Sequence, residues 1–313
     1  MCDLIGDFHC HAEELVQLFN VLDYRKMPRR LRAFQTQGDA TRTSATEART
    51  MKKSSACSSR ESETESHSNV GIQRIQPFPT CGVLFENSGW PLQTLNSRIR
   101  QIQGSAYSYV VRTVKLKKGQ ETTTFEQRGS APNFQGNVLT LCTCKHQMRS
   151  RYPADQWQDD VWIAGFTSRT IYDEKHWLFY LAKVKSAYES HTDLWTRMKA
   201  DSRKEKAAHL DYFGDLFKPR TPEPTGDAVY SPRRYVMPEN HAHRQYRNPD
   251  VWKKDINYQH AVTSRHAPLL VADPHLTFLW EEPMIYFARK KHCRDYHTWS
   301  SLQELLGLLR GAS

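Results

Sequence analysis

Ser105-Ala106-Tyr107-Ser108-Tyr109-Val110-Val111-Arg112 opens the most regular part of this chain. Tyr107, Tyr109 and Val111 alternate with Ser108, Val110 and Arg112, the period of two expected of a half-buried strand. Three further strand-like runs follow, at residues 138–144, 160–166 and 178–184, and the spacing of the last two fits a hairpin. Thr192 or Asp193 then offers an N-cap to a helix starting at Asp193-Leu194-Trp195. Strands followed by a helix predict an α+β domain: a small mixed or antiparallel sheet with flanking helices and long loops.

C-terminal to this block, residues 210–275 are rich in Pro, His, Tyr and Arg and lack periodicity, so they read as long loops laid over the sheet. Residues 283–288 are strand-like. Ser301-Leu302-Gln303-Glu304 is a capping-box signature for a helix carrying Leu302, Leu305, Leu306 and Leu309. N-terminal to the block, the basic knot Arg25-Lys26-Met27-Pro28-Arg29-Arg30-Leu31-Arg32 leads into a tract of Ser, Thr, Glu and Arg. Large apolar residues there are too few to offset the entropy of ordering, so about 30–75 reads as disordered. Pro77, Pro79, Trp90 and Pro91 predict an extended segment docked on the domain that follows. The resulting division is a strand–helix fragment at 1–24, a low-complexity, largely disordered linker at 25–104 and the α+β domain at 105–313.

Of the 313 residues 38% are hydrophobic, enough for one main core, and they concentrate after about residue 105. Lys and Arg number 44 against 34 Asp and Glu, and the formal charge of +10 favours anionic partners. Seven cysteines, scattered from Cys2 to Cys293, make no disulfide framework. No apolar run approaches the roughly 20 residues of a membrane span. Met1-Cys2-Asp3-Leu4-Ile5-Gly6-Asp7 is acidic where a signal peptide is basic. The expectation is a soluble, intracellular, reduced protein without a membrane partner. It would be nuclear if the basic knot serves import rather than being an ordinary solvated linker.

Candidate chemistry gathers around the central block. Gly129 and Gly136 bracket Ala131-Pro132-Asn133-Phe134, a turn in which Asn133 can bond its own backbone and leave amides for an anion. Lys145, Arg149 and Arg151 follow a strand directly, and Lys145 and Arg149 share one side of a helical turn, an arrangement suited to phosphate. Aromatic residues interleave with these charges, at Tyr107, Tyr109, Phe134, Trp157, Trp162, Trp177 and Tyr180. Most are expected in the core, and Phe134, in a loop, is the best placed to stack on a base. Cys142, Cys144 and His146 form a weak metal signal. His241, His243, His260, His266 and His275 form another, read more simply as structural or surface histidines.

Near the N-terminus, Asp7 and His9 stand two apart at a strand end, ahead of a helix with Leu15, Leu18, Phe19 and Leu22 on one face. Gly6-Asp7-Phe8-His9-Cys10 resembles the first motif of calcineurin-like metallophosphoesterases, Gly-Asp-x-His-Gly. That resemblance implies a divalent-metal site drawing on Asp7, His9, Asp215 and His241. The second and third motifs are only echoed: Gly214-Asp215-Leu216-Phe217-Lys218 has Lys218 where the family has Asp, and Glu239-Asn240-His241-Ala242 lacks the Gly and the Glu.

A longer resemblance covers about residues 105–295. Tyr107-Ser108-Tyr109-Val110-Val111, Gly129-Ser130-Ala131-Pro132-Asn133, Leu139-Thr140-Leu141-Cys142-Thr143-Cys144-Lys145 with Arg149, Val161-Trp162-Ile163-Ala164-Gly165, Leu181-Ala182-Lys183-Val184 and Phe213-Gly214-Asp215 together resemble the nucleotide-modification-associated domain of the second type. His146 stands where that family prefers Pro, Met148 replaces Ile, and Asp159-Asp160-Val161-Trp162 departs from its Gly-Asp-Trp. The resemblance implies an α+β domain that recognises or acts on modified nucleotides. Its matching polar positions are Asn133, Thr140, Cys144, Lys145, Arg149 and Asp215. In this reading Asn133 reads a base edge or shapes the turn, Lys145 and Arg149 hold phosphate, and Asp215 is the candidate catalytic acid, base or metal ligand. The leading expectation is therefore a nucleic-acid or nucleotide-binding domain with no cofactor implied. The alternatives are a metal-dependent phosphoesterase and a catalytically silent interaction protein.

Overall fold

The computed structural model describes residues 75–119, 121–169, 174–208, 214–236, 248–289, 292 and 295–312. The fragment at 1–24, the basic knot and most of the expected linker lie outside the described residues. The helices are α1 (Gly82–Glu86), α2 (Leu92–Ile99), α3 (His146–Arg149), α4 (His191–Arg197), α5 (Ala200–Ala208), α6 (Lys253–Ile256) and α7 (Leu302–Leu306). The strands are β1 (Ala106–Val111), β2 (Val114–Lys118), β3 (Thr123–Gln127), β4 (Thr140–Leu141), β5 (Trp162–Thr167), β6 (His176–Tyr188), β7 (Leu269–Leu279), β8 (Ile285–Phe287), β9 (His297–Trp299) and β10 (Leu309–Gly311).

The fold is α+β with a mixed sheet. Its strand order is β10-β8-β6-β5-β1-β9, with β7 joining β6 to β4, and β2 and β3 form a separate two-stranded ribbon. The thirteen-residue β6 is the spine. It pairs with β5 on one edge as the expected hairpin, and on the other edge it meets β8 and then β7. β1 and β5 run parallel, from Ala106 opposite Trp162 to Val111 opposite Thr167. A parallel pair needs a long crossover, and here the crossover carries the ribbon, β4 and α3. At Gly165 an added Cβ would lie 2.2 Å from the Tyr180 ring, so the β5–β6 contact requires a residue without a side chain there.

β1 is buried along its whole length rather than on one face. Tyr107 packs on Trp157, with ring centroids 5.0 Å apart, while on the opposite face Ser108 accepts a hydrogen bond from the indole Nε1 of Trp299 at 2.7 Å. Period-two alternation shows which residues share a face but not that a second layer covers the other one. Residues 138–144, expected as one strand, pair with β7 only at Thr140 and Leu141. Beyond that point the carbonyls of Cys142 and Cys144 turn to the Arg149 side chain.

The boundary expected at residue 104 moves toward the N-terminus. Residues 75–104 are not an extended linker: they include α1 and α2, whose Leu84, Leu95 and Ile99 are fully buried. Gln76 stitches this segment to the body. Its N–H donates to the Gln127 carbonyl, its Nε2 to the carbonyls of Gly129 and Pro132, and its Oε1 accepts from the Phe134 N–H. Helices this short draw their stability from tertiary packing, which a few apolar residues among prolines do not announce.

Residues 210–275, expected as loops, contain α6 and the first part of β7, together with a small core of Phe217, Tyr235, Trp252 and Ile256. The N-cap of α4 is Ser190, whose Oγ accepts from the Asp193 N–H at 3.1 Å, so Thr192 and Asp193 already lie inside the helix. The capping signature of α7 holds with a one-residue shift: Ser301 Oγ accepts from the Glu304 N–H, and Glu304 reaches back to Ser300. Leu302, Leu305 and Leu306 are buried, and Leu309 is buried from β10. No helix among the described residues is long and apolar enough to cross a membrane. Cys142 and Cys144 are free thiols.

His191 makes the fold pH-sensitive. Its Nδ1 accepts the Phe217 N–H at 3.2 Å, so the neutral ring carries its proton on Nε2, which faces the Asp255 carbonyl at 3.4 Å. Burial pushes its pKa down to about 3. In the unfolded chain an imidazole binds a proton below about pH 6.5 while the folded ring stays neutral, so stability declines as pH falls through that value and levels off near 3. Burial lowers His146 and His176 in the same direction. The expected outcome is a Tm that falls between pH 7 and pH 5, with at most about 1.4 kcal/mol per pH unit coming from His191. His191→Asn, which retains an acceptor for Phe217, should flatten the dependence; an unchanged pH profile for that variant would refute this assignment.

Candidate functional site

The turn between Gly129 and Gly136 is closed by reciprocal backbone bonds, Asn133 N–H to Thr140 O at 2.9 Å and Thr140 N–H to Asn133 O at 2.7 Å. Asn133 Oδ1 accepts the Gln135 N–H at 2.9 Å, the local bond expected of an Asn in this position. The same oxygen accepts from Lys206 Nζ at 3.0 Å. Lys206, on α5, is only 2% exposed, and its ammonium also reaches Asn133 O, Val138 O and Thr140 Oγ1 at 3.0–3.2 Å. Thr140 Oγ1 then donates to the Asp215 carboxylate, at 3.1 and 2.9 Å from its two oxygens.

The threonine hydroxyl therefore sits between a buried ammonium and a buried carboxylate, accepting from one and donating to the other. Burial raises the Asp215 pKa, opposed by Lys206 and Thr140. Burial lowers that of Lys206, opposed by Asp215. Each charge supplies the main electrostatic compensation for the other. Asn133, Thr140 and Asp215 are thus brought together around Lys206, inside the protein.

Arg149 is fully buried and does not face solvent beside Lys145. Its Nε donates to Cys144 O at 2.8 Å, Nη2 to Cys142 O at 2.7 Å, and Nη1 to Ala267 O and Pro268 O at 3.1 and 2.5 Å. The guanidinium is committed to four backbone carbonyls, which corrects its expected role in holding phosphate. Lys145 has left-handed backbone geometry (φ 57°) at the start of α3 and is half-buried. Its Nζ lies 4.7 Å from the centre of the Tyr109 ring, a cation–π contact, and the Tyr109 hydroxyl meets that of Tyr180 at 2.6 Å.

Phe134 is 1% exposed, with its ring centroid 5.1 Å from that of Phe78 and 6.2 Å from that of Phe179. It is a core residue and not a platform for a base, because the segment expected as linker supplies Phe78 to cover it. Among the described residues no group of three or more His, Cys, Asp or Glu could hold a metal ion. Burial pushes the Cys144 thiol up to about 11 and Cys142 well above the usual thiol range. His146 pairs with Asp255 at 3.4 Å and lies over the Tyr258 ring, and His266 stacks on Tyr230 at 3.6 Å. Asp7, His9, His241 and His243 lie outside the described residues.

What does reach the surface is Arg151, two residues beyond the buried arginine. It is exposed, donates to the Tyr296 hydroxyl at 3.0 Å and lies 5.8 Å from that ring. Half-buried Tyr152 and Tyr296 flank buried Tyr107, with centroid separations of 6.5 and 6.2 Å. Tyr152 and Tyr296 were missed from the sequence because they come from segments 144 residues apart. Lys206 was missed because Ala200-Asp201-Ser202-Arg203-Lys204-Glu205-Lys206 has the composition of a solvated helix. Comparison with family models, curated proteins and solved structures finds no match for the chain.

Urea unfolding of variants at Arg149, Lys206 and Asp215 tests the interior assignment. Arg149→Lys, with three donors and no fork, should cost about 3–5 kcal/mol by leaving buried carbonyls unpaired; a loss below about 1 kcal/mol would show that the four bonds contribute little. Lys206→Met should also cost about 3–5 kcal/mol, because the buried Asp215 charge loses its counter-ion. Adding Asp215→Asn should restore part of that loss, and strict additivity of the two changes would overturn the coupling through Thr140.

Proposed function

We propose that the described residues form a nucleic-acid or nucleotide-binding domain associated with base modification, which recognises or acts on modified nucleotides. The observation that carries this reading is the surface cluster of Arg151 with Tyr152 and Tyr296, on the same face of β1 as Lys145. Partly exposed rings provide stacking area for a base, and a guanidinium beside them meets a phosphate. Arg151 commits an Nη1 donor to Tyr296, out of the five N–H donors that a guanidinium carries. The formal charge of +10 supports an anionic partner. The link to base modification rests on the order of motifs across residues 105–295.

In this reading Lys145 and Arg151 contact phosphate, while Asn133, Thr140 and Asp215 shape the interior behind them. The phosphoesterase alternative, the only reading that calls for a divalent metal, receives no support from Asp215. That carboxylate is enclosed, with the Thr140 hydroxyl bonded to it and Cys142 beside it.

The test is binding of the full chain to labelled single- and double-stranded DNA and RNA across a salt series. Arg151→Ala should weaken single-strand binding about 5–10-fold near 0.1 M salt and reduce the log–log salt slope by about one. Oligonucleotides carrying a single methylated base should compete better than unmodified ones. Equal competition would remove the link to modification, and no binding to any of the four would overturn the nucleic-acid reading in favour of a small nucleotide or a protein partner.

A further inference from the structure

The ribbon of β2 and β3 stands outside the main sheet, with Val114 opposite Gln127, Lys115 opposite Glu126, Leu116 opposite Phe125, Lys117 opposite Thr124 and Lys118 opposite Thr123. Alternation along the strands puts Val114, Leu116, Phe125 and Gln127 on one face. Val114, Phe125 and Gln127 are buried, so this face rests on the body. β3 is the inner strand: the Phe125 N–H donates to Glu281 O at 2.7 Å, and Gln127 O accepts from the Gln76 N–H at 2.7 Å. β2 is therefore the outer strand. Its sequence, Val114-Lys115-Leu116-Lys117-Lys118, directs Lys115 and Lys117 away from the core.

Arg112, Lys115, Lys117, Lys118 and Arg128 are all exposed here. The carboxylate on the outer face is Glu126, almost buried beneath Lys117 at 3.1 Å and Arg128 at 2.6 Å. The Arg128 guanidinium, with Lys117, holds its carboxyl below the usual range. Glu121 lies in the turn, and Glu281 and Glu282 border the inner strand on the side away from β2. Lys118 falls on the other face by the same alternation, so the outer face of this short, core-backed ribbon carries Lys115, Lys117 and Arg128 against Glu126, a net charge of +2.

We propose that this ribbon is a docking surface for double-stranded DNA, with its outer face laid along the major groove. That groove, about 12 Å wide, admits a two-stranded ribbon. Five residues of strand extend about 17 Å, over which a duplex presents on the order of ten phosphate charges. The deep, narrow major groove of A-form RNA excludes such an element. The ribbon follows the end of β1 at Val111, whereas the Arg151–Tyr296 cluster packs at Tyr107 near its start, and the two share no residue. The inference goes beyond nucleotide recognition and is separable from it.

The experiment measures fluorescence anisotropy of the full chain with a 20-base-pair DNA duplex, the matching RNA duplex and a single-stranded oligonucleotide. Lys115→Gln/Lys117→Gln should raise the duplex-DNA Kd at least about tenfold and lower the salt slope by about two, with single-strand affinity unchanged and Tm lowered by no more than the loss of the Lys117–Glu126 pair, since Arg128 still partners Glu126. Lys115→Arg/Lys117→Arg should retain wild-type affinity. Arg151→Ala should produce the converse pattern, losing single-strand affinity first, so failure of one reading leaves the other measurable. Unchanged duplex affinity in the glutamine variant, or equal affinity for DNA and RNA duplexes, would overturn the proposal. So would unchanged duplex affinity accompanied by new self-association, which would identify the lysines as guards of an open sheet edge.

Discussion

The guanidinium of Arg149 holds the centre of this structure. Its bonds to Cys142 and Cys144 fold the chain back on itself after β4, and its bonds to Ala267 and Pro268 fix the segment that leads into β7. The Arg149 carbonyl then receives the indole N–H of Trp157 at 2.7 Å, bringing that ring onto Tyr107. A buried arginine is tolerable only when nearly all of its donors are used, and here they organise backbone from two distant stretches. The short β4, the left-handed Lys145 and the emergence of Arg151 beside Tyr296 all follow from that arrangement.

A second interior network works with the first. Lys206, Thr140 and Asp215 join α5, the turn at Asn133 and the segment following Gly214, with complementary charges and a hydroxyl between them. Polar residues that resemble a site in sequence are here a means of rigidifying a turn. The division is chemical: Arg149, Lys206 and Asp215 find their partners within the protein, while Arg151 reaches the surface beside a tyrosine ring and Lys115 and Lys117 on the ribbon. A surface ligand meets the latter, and its geometry is set by the former.

Much of the architecture was legible. Alternation at 105–112, the hairpin spacing of β5 and β6 and the Ser301–Glu304 cap are local signals, and the hairpin and the cap are also closed by local hydrogen bonds, whereas β1 finds its partners in the distant β5 and β9. The misreadings concern information that is not local. Phe134 was placed at the surface because its neighbours are turn residues, yet Phe78, from 56 residues upstream, covers it. Arg149 and Arg151 are indistinguishable as cations in a basic run, and only the positions of the 267–268 carbonyls and of Tyr296 separate the buried clamp from the surface contact. α1 and α2 carry too few apolar residues to be recognised as helices, because their stability comes from the sheet they cover.

β9 pairs with β1 at one margin of the sheet and β10 pairs with β8 at the other, so residues 297–311 supply both outer strands and the helix between them. During synthesis, Ala106 waits for Trp299, and at about 5–20 residues per second that interval is about 10–40 s. Throughout it, the backbone groups of β1 that face β9 lack their final partner, and Trp299 has not yet reached Ser108. A nascent chain of this fold therefore keeps both margins of its main sheet unpaired until residues 297–311 have emerged, and an unpaired margin is a template for pairing with another chain.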